Sequence, residues 1–277
     1  MNNNTLVPKF SVIIPTLNEE KYVGLLLHSL AEQTFRDFEV IVVDGVSTDK
    51  TLTAVKRYHK HLPALSVVKS TKSLLAHQWN LGIQKARGDY LMFVHADSML
   101  FPYFFDRVNM FIFQEKPDFF TSWFAPDSRV SGDALITLLT NLGLEVSVMI
   151  HRTVAPGSLS VVSRKACSRV GGFSEEYRFG EDADFGSRLS EVGYTLKILR
   201  ETLVVCSLRR FRNEGTLRVL RTYAWATIAM IVTRRPPKAI SSYLMGGALY
   251  SKLKDGRLSL LKTYEQKIRH VLRELFA

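Results

Sequence analysis

Apolar segments rich in β-branched residues alternate with amphipathic segments through the N-terminal third of the chain, and this alternation constrains the fold most strongly. Four apolar runs predict strands: 10–15, 38–44, 65–69 and 90–95. Three segments between them predict helices: 19–33, with Asn18 as its N-cap, 49–60 and 75–86. Continuously apolar strands that alternate with helices favour a mostly parallel sheet covered on both faces. We therefore predict an α/β fold.

Polar residues follow three of these strands at their carboxyl ends. Pro15 and Thr16 follow the first strand, Asp44 ends the second, and Asp97 follows the fourth, two residues after His95. Ligands of open α/β sheets bind outside the carboxyl ends of the strands. Asp44 taken alone also fits a turn or capping residue, because "DGVSTD" is rich in turn formers. Together the three ends predict a binding site at one edge of the sheet.

A second acidic group opens a helix predicted from Glu181 to about Val192. Acidic side chains in a first helical turn are favoured by the helix dipole, which is a purely structural explanation. Glu181, Asp182 and Asp184 exceed what capping requires, and the preceding Gly180 leaves room beside them. The cluster therefore predicts functional carboxylates, and a strand is predicted after it, near 195–205.

Positive charge is concentrated at the end of the chain. From Arg200 onward there are 16 Lys and Arg against 5 Asp and Glu, which is the whole net charge of +11. A basic segment of this kind favours an anionic partner such as nucleic acid, acidic phospholipid or a phosphorylated substrate. A solubilising helical face explains the charge equally well.

The segment after about Thr216 predicts three helices, at 216–232, 239–253 and 259–276. Their uninterrupted apolar stretches are much shorter than the roughly 20 residues that a membrane span needs, so we expect contact with a membrane surface and no crossing. The opening residues 1–5 are polar and lack the apolar core of a secretory signal. We therefore expect a cytoplasmic protein in which Cys167 and Cys206 stay reduced.

The ordered motifs resemble glycosyltransferase family 2, whose members have the GT-A fold and use nucleotide-sugars. The resemblance covers roughly residues 10–210 and is carried by three quoted segments: "SVIIPTLNEEKYVGLLLHSLAEQTFRDFEVIVVDGVSTDKT", "NLGIQKARGDYLMFVHADSML" and "PGSLSVVSRKACSRVGGFSEEYRFGEDADFGSRLSEVGY". It implies a GT-A domain over 8–208, with a Rossmann-like sheet, followed by a basic amphipathic helical extension over 209–277.

The resemblance also implies roles in binding the donor. A nucleotide-sugar site is implied for six residues of the first motifs: Pro15, Thr16, Asn18, Glu19, Asp44 and Asn80. Asp97 matches the acid that binds Mg²⁺ or Mn²⁺ on the donor diphosphate. His95 departs from the family's Asp-x-Asp motif; it fits a contact with ribose or phosphate, a ligand of Mn²⁺, or simple packing. Arg209 and Arg210 match a contact to diphosphate or to a phosphorylated acceptor, or the start of a basic surface helix.

For the chemistry, Asp182 matches the catalytic base of an inverting transfer, and Glu181 matches its orienting neighbour. The family's processive synthases carry Gln-x-x-Arg-Trp after the base, and the "SLRRFRNEG" found here argues against such an enzyme.

We thus expect metal-dependent, inverting transfer from a nucleotide-diphosphate sugar, by default a UDP-sugar. The expected acceptor is a lipid-linked, for example polyprenyl-linked, or cell-envelope glycan. The expected place is the cytoplasm, with peripheral contact to an anionic membrane and no nucleic-acid partner.

The same residues bear on two rival functions. A nucleotidyltransferase would need a Gly-rich basic loop where "PTLNEEKYVG" is acidic. A non-catalytic relative that binds nucleotide and docks to a membrane through its tail is kept open by His95.

Overall fold

The computed structural model describes residues 7–149 and 155–233, together with residues 235 and 237. Within these residues the chain forms eight strands and nine helices. The strands are β1 (Phe10–Thr16), β2 (Phe38–Asp44), β3 (Leu65–Lys69), β4 (Tyr90–Val94), β5 (Met99–Leu100), β6 (Phe119–Pro126), β7 (Leu159–Ser163) and β8 (Lys197–Cys206). The helices are α1 (Val23–Ala31), α2 (Thr51–Lys56), α3 (Leu75–Lys85), α4 (Phe104–Glu115), α5 (Ser131–Met149), α6 (Arg164–Val170), α7 (Glu181–Glu191), α8 (Arg209–Glu214) and α9 (Thr216–Thr233).

All eight strands join one mixed sheet in the order β3-β2-β1-β4-β7-β6-β8-β5. Strands β1 to β4 are parallel to one another, β7 is antiparallel to β4 and to β6, and β8 is parallel to β6. The carboxyl ends of β1, β2, β4, β6 and β8 therefore meet at one edge, together with the start of β7. This geometry gathers loops from both halves of the chain at a single place.

Helices cover both faces of the sheet, so that two apolar layers form around it. On one face α1 and α4 enclose a cluster that includes Phe10, Phe38 and Phe105, where the last two rings stack at 4.7 Å. On the other face α3, α6 and α7 enclose Trp79 and Phe185. The predicted α/β fold with helices on both faces is confirmed. Cys167 and Cys206 are both free thiols.

The first four predicted strands and the helices at 75–86 and 181–192 lie within about one residue of their observed bounds. The first helix, however, begins at Val23, and the prediction of Asn18 as its N-cap is wrong. The N-cap is Tyr22, without a side-chain bond. Asn18 adopts a left-handed φ of 55° in the loop before the helix. Its side chain binds backbone beyond β2, as described below.

The predicted tail is described only in part. The first of its three helices is α9, at Thr216–Thr233. The predicted helices over 239–253 and 259–276 lie outside the residues that the structure describes.

Candidate active site

A cleft of about 390 Å³ lies at the edge where the carboxyl ends of the strands meet. The loop after β1, the end of β4, the turn before β7, the start of α7 and the segment after β8 all contribute to its walls. Besides Arg209, eleven residues are predicted for the site, and seven of them line the cleft: Pro15, Thr16, Glu19, His95, Asp97, Asp182 and Arg210. The convergence of residues that are far apart in the chain is what the strand directions predict.

The cleft also contains Arg209, which forms the centre of a buried ion cluster. Arg209 donates to both carboxylate oxygens of Glu19, at 2.8 and 2.6 Å, and its Nε lies 2.9 Å from Asp97 Oδ2. The guanidinium also stands 4.6 Å from the centre of the Tyr22 ring. Only 10% of the Arg209 side chain is exposed, so its charge is compensated by these carboxylates and not by water.

The charged groups of this cluster shift one another's pKa values. Burial lowers the pKa of Arg209, but the charges of Asp97 and Glu19 outweigh it and raise that pKa above its ordinary value. Burial raises the pKa of Glu19 to about 7, and the hydrogen bonds from Arg209 oppose this increase. A guanidinium does not lose its proton in proteins. Arg209 therefore supplies a fixed positive charge at the wall of the cleft.

Helix α8, which carries Arg209, is fastened to the domain by a second ion cluster. Arg212 binds Asp127 and Asp133, with nitrogen–oxygen distances of 2.5 to 2.7 Å. Asp127 also accepts from the backbone N–H of Leu208 at 3.1 Å. The boundary predicted at residue 208 thus falls inside the site, because α8 belongs to its wall.

The acidic pair lies at the start of α7. Gly180 precedes the helix in the left-handed conformation, φ 75°, which turns the chain so that Asp182 lines the cleft. Burial raises the pKa of Asp182 to about 6, and backbone N–H groups of Ala183 and Gly157 oppose the shift. Burial and the neighbouring Asp182 raise the pKa of Glu181 to about 8. The two carboxyls titrate as a pair that holds about one proton near neutral pH. Because burial and Asp182 both raise the pKa of Glu181, we infer that Glu181 keeps this proton and that Asp182 carries the charge.

His95 lies between the two acidic centres. Its ring stacks on Trp79, with ring centres 6.1 Å apart and planes 15° apart. Burial lowers the pKa of His95, and Asp97 opposes that shift, so the imidazole is neutral near pH 7. Gly157 fills the space between His95 and Asp182: a Cβ on this glycine would lie 3.1 Å from His95 Cε1 and 2.9 Å from Asp182 Oδ2. The turn before β7 therefore packs directly against the catalytic candidates.

Asn18 and Asp44 do not line the cleft; they shape its rim. The Asn18 side chain accepts from the backbone of Thr48 at 2.8 Å, which joins the loops after β1 and β2. Asp44 is buried and accepts from Thr16 Oγ1 at 3.2 Å and from the Ser47 backbone at 3.1 Å. These contacts are those of a loop-ordering acid, the alternative left open for Asp44.

Asn80 and Glu181 also lie outside the cleft lining. Asn80 exchanges two hydrogen bonds with the backbone of Phe173, at 2.8 and 2.9 Å, and so joins α3 to the loop that leads to α7. Glu181 is 7% exposed and lies behind Asp182. Asn80 can influence the site through the loop that it holds, and Glu181 through its electrostatic coupling to Asp182.

Sequence reasoning missed Gln78, which lines the cleft from α3. Its Nε2 donates to the carbonyls of Thr16 and Val43, at 3.0 and 2.8 Å, and so ties the ends of β1 and β2 together. A buried glutamine within a helix gives no sequence signal by itself, because the period of α3 marks it only as an inward-facing position.

The residues at the end of β4 fit a divalent ion that a bound substrate would share. Among the residues that the structure describes, no group of three or more His, Cys, Asp or Glu side chains is placed to hold a metal ion. Asp97 and the neutral His95 nevertheless bring one oxygen and one nitrogen donor to the same wall. One or two carboxylates with substrate phosphates suffice for Mg²⁺ in nucleotide sites. The donor set therefore fits an ion that is completed by phosphate oxygens.

Comparisons with known proteins give relatives for this arrangement. A model of the family described as Glycosyl transferase family 2 matches residues 11–171. Poly(ribitol-phosphate) beta-N-acetylglucosaminyltransferase TarS of Staphylococcus aureus is 41% identical over 95 residues, which are 33% of this chain and only 17% of TarS. The PGL/p-HBAD biosynthesis glycosyltransferase of Mycobacterium tuberculosis is 38% identical over 250 residues, 84% of this chain and 93% of that protein.

Solved structures show the same fold. S. aureus TarS 1-349 in complex with UDP matches with a TM-score of 0.61 and 26% identity, over 72% of this chain and 60% of that one. The mannosyltransferase PcManGT from Pyrobaculum calidifontis, in complex with GDP-Man and Mn²⁺, has a TM-score of 0.61 and 22% identity, over 85% of this chain and 67% of its own. The second likeness concerns the fold alone.

Proposed function

Because the chain belongs to glycosyl transferase family 2, with the GT-A fold that its sequence predicts, we propose that it is an inverting glycosyltransferase. In this proposal it transfers a sugar from a nucleotide-diphosphate donor to an acceptor hydroxyl or phosphate. The observation that carries the proposal is the convergence of Asp97, Arg209 and the ionised Asp182 on one cleft of about 390 Å³. Such a cleft has room for a nucleotide-sugar and presents charge of both signs to it.

The donor half of the proposed site is the wall formed by β1, β4 and α8. Pro15, Thr16 and Glu19 line it beside the fixed charge of Arg209, and Arg210 follows on the same helix. Guanidinium groups bind diphosphate well because they present several donors in a planar fork. The TarS structures solved with UDP and with UDP-GlcNAc support a UDP-sugar as the default donor.

A divalent ion, Mn²⁺ or Mg²⁺, is proposed to join this half of the site. Asp97 would hold it, with His95 as the nearest second donor. The ion would supply positive charge to offset the charge that develops on the leaving diphosphate. In the structure described here Asp97 pairs instead with Arg209. We therefore infer that Asp97 is shared between a resident guanidinium and an ion that arrives with the donor.

Asp182 is the proposed base. It lines the cleft, carries the charge of the acidic pair near neutral pH, and receives backbone N–H groups that hold it in one orientation. A base with a pKa near 6 is ionised at neutral pH and still accepts a proton from an attacking hydroxyl. Glu181 remains protonated behind it and so spares the site a second negative charge.

The acceptor is proposed to be a lipid-linked or cell-envelope glycan. Support comes from two relatives, which are named for poly(ribitol-phosphate) and for PGL/p-HBAD biosynthesis, and from the basic charge of the C-terminal part of the chain. A cytoplasmic protein in peripheral contact with an anionic membrane would meet such an acceptor. Nucleic acid is not proposed as a partner.

The first test is a thermal-shift titration with UDP, GDP, dTDP and CDP, each with Mn²⁺, Mg²⁺ or a chelator. The proposal predicts that UDP stabilises the wild type in the presence of metal and fails to do so for Asp97→Ala. Glu191→Ala, at an exposed position on α7, serves as the matched control and should respond like the wild type. If no nucleotide stabilises the wild type under any condition, the donor site is wrong and a non-catalytic relative is the better explanation.

A further inference from the structure

Helix α5 presents a continuous apolar face to solvent. Six of its side chains are each at least half exposed and recur at helical spacing: Leu135, Leu138, Leu139, Leu142, Val146 and Met149. The helix has two acidic residues: Asp133 is buried and pairs with Arg212, and Glu145, at the border of the apolar face, pairs with Arg200. The acidic groups of α5 are therefore neutralised by arginines, and a water-exposed apolar surface of this kind indicates an interaction site.

The opposite side of α5 is fastened to the sheet. Asn141 exchanges two hydrogen bonds with the backbone of Phe124 in β6, each of 3.0 Å. Within residues 7–149 and 155–233, α5 is the one helix long and apolar enough, by length and composition, to span a membrane. Because these bonds hold it along the edge of the domain, a bilayer can receive its outer face but not the whole helix.

Helix α9 adds a basic and aromatic surface. Leu217 is 85% exposed and Trp225 is 55% exposed, and Arg218 and Arg221 are exposed between them. Tryptophan and arginine at such positions are typical of helices that lie in the interface of an anionic bilayer.

Both helices border the candidate active site. Thr140 of α5 and Tyr223 of α9 line the cleft. Helix α8 contacts both of them through its side chains. Arg212 pairs with Asp133 of α5, and the Phe211 ring stands 5.9 Å from the ring of Tyr223 in α9. We propose that the apolar face of α5 and the exposed basic side of α9 together form a docking surface for an anionic lipid bilayer.

Charge favours a bilayer over a second copy of the chain. In a symmetric dimer the same surface would meet itself and bring Arg218 and Arg221 of both copies towards each other. A bilayer offers phosphate groups to these arginines and hydrocarbon to the leucines, without requiring a complementary shape. The surface combines α5 with α9, the first helix of the basic extension. That docking would bring a lipid-linked acceptor to the cleft rests on the proposed function; the docking itself does not.

The test is sedimentation of the full-length protein with vesicles of phosphatidylcholine that contain phosphatidylglycerol. The proposal predicts binding to these vesicles and weaker binding to phosphatidylcholine alone. Leu138→Gln with Leu142→Gln should weaken binding roughly tenfold or more, because two half-exposed leucines then gain nothing from hydrocarbon. The matched control is Val67→Gln, exposed on β3 at the opposite edge of the sheet, which should bind like the wild type.

A second readout is quenching of tryptophan fluorescence by vesicle lipids that carry a nitroxide on the acyl chain. The three tryptophans are Trp79, Trp123 and Trp225, and the proposal predicts that quenching disappears with Trp225→Phe.

Wild-type protein that stays in the supernatant would overturn the proposal. So would binding that the leucine substitutions leave unchanged, since the basic C-terminal segment would then carry it. A change of oligomeric state in the leucine variant, with vesicle binding intact, would assign the face to a second copy. None of these measurements needs nucleotide, so their failure is separable from failure of the proposed activity.

Discussion

The acidic pair at the start of α7 predicts the pH dependence of transfer and the different behaviour of two isosteric substitutions. If Asp182 is the base and its pKa is raised to about 6, kcat/KM should fall as the pH drops below that value, because a protonated carboxyl cannot accept the acceptor's proton. At pH 5 only about one molecule in ten would hold the ionised form, so we expect roughly a tenfold loss relative to the plateau.

The substitutions separate the two carboxyls. Asp182→Asn removes the base and should lower kcat/KM by about 10²- to 10⁴-fold at every pH. Glu181→Gln replaces a carboxyl that is already protonated at neutral pH, since its pKa is raised to about 8. The Glu181→Gln variant should keep most of the activity and the same fall of kcat/KM below pH 6. It should lose any change of rate near pH 8. The charged and titratable groups nearest the pair are His95 and Arg210, and neither changes charge between pH 7 and 9.

The assay is the initial rate of nucleoside diphosphate release between pH 4.5 and 9, with the donor identified by titration. Glu191→Gln, exposed on the same helix, is the control and should match the wild type throughout. If kcat/KM instead began to fall only near pH 4, burial would not raise the pKa of Asp182. Asp182→Asn with more than a tenth of wild-type activity would remove the residue from the mechanism altogether.

Three further predictions concern the walls of the site. Gly157→Ala should lower kcat strongly with little loss of stability, as steady-state rates and thermal melting would show, because the new Cβ would lie 2.9 Å from the carboxylate of Asp182, the proposed base. Asn80→Ala should destabilise the domain by about 2 kcal/mol and lower Tm by roughly 5 °C, since two backbone groups of Phe173 lose their partner; an unchanged melting curve would contradict this. Arg209→Met should cost about 3 kcal/mol or more in urea unfolding, because two carboxylates lose a buried cation, and adding Glu19→Gln should restore part of that loss.

The elements of the first hundred residues are predictable because their signals are local. Strands β1, β2 and β4 are buried on both faces and so are seen in the sequence as apolar runs, interrupted only near the start by Ser11 in β1 and Glu39 in β2. No strand is predicted for β6 or β7. Buried polar residues interrupt both strands, for example Thr121 and Ser122 in β6 and Ser160 in β7. Helix α5 is hard to recognise for the opposite reason, since its solvent face is apolar and masks the usual amphipathic period.

The site residues divide in the same way. Asp97 and Asp182 are predictable because strand ends and helix starts are places where a free carboxylate is conspicuous. For Arg209 the sequence leaves two interpretations open, because "RRFR" fits both a contact to phosphate and the start of a basic surface helix. Its burial depends on Glu19, which lies 190 residues away in the sequence. Asn80 gives a polar signal without showing whether its partner is a ligand or a backbone segment, and only the tertiary structure supplies Phe173.

The pairing of Arg209 with Glu19 also sets the order in which the protein can become competent during synthesis. Strands β1 to β4 can pair while the ribosome is still translating the second half of the chain, and the stretch matched by the family model ends at residue 171. Neither Asp182 nor Arg209 has been made at that stage. Contacts across such a long separation form late, because the entropy of closing the loop must be overcome first. A nascent chain would thus carry the sheet well before it carries a working cleft, and a stalled or truncated product would be structured and inert.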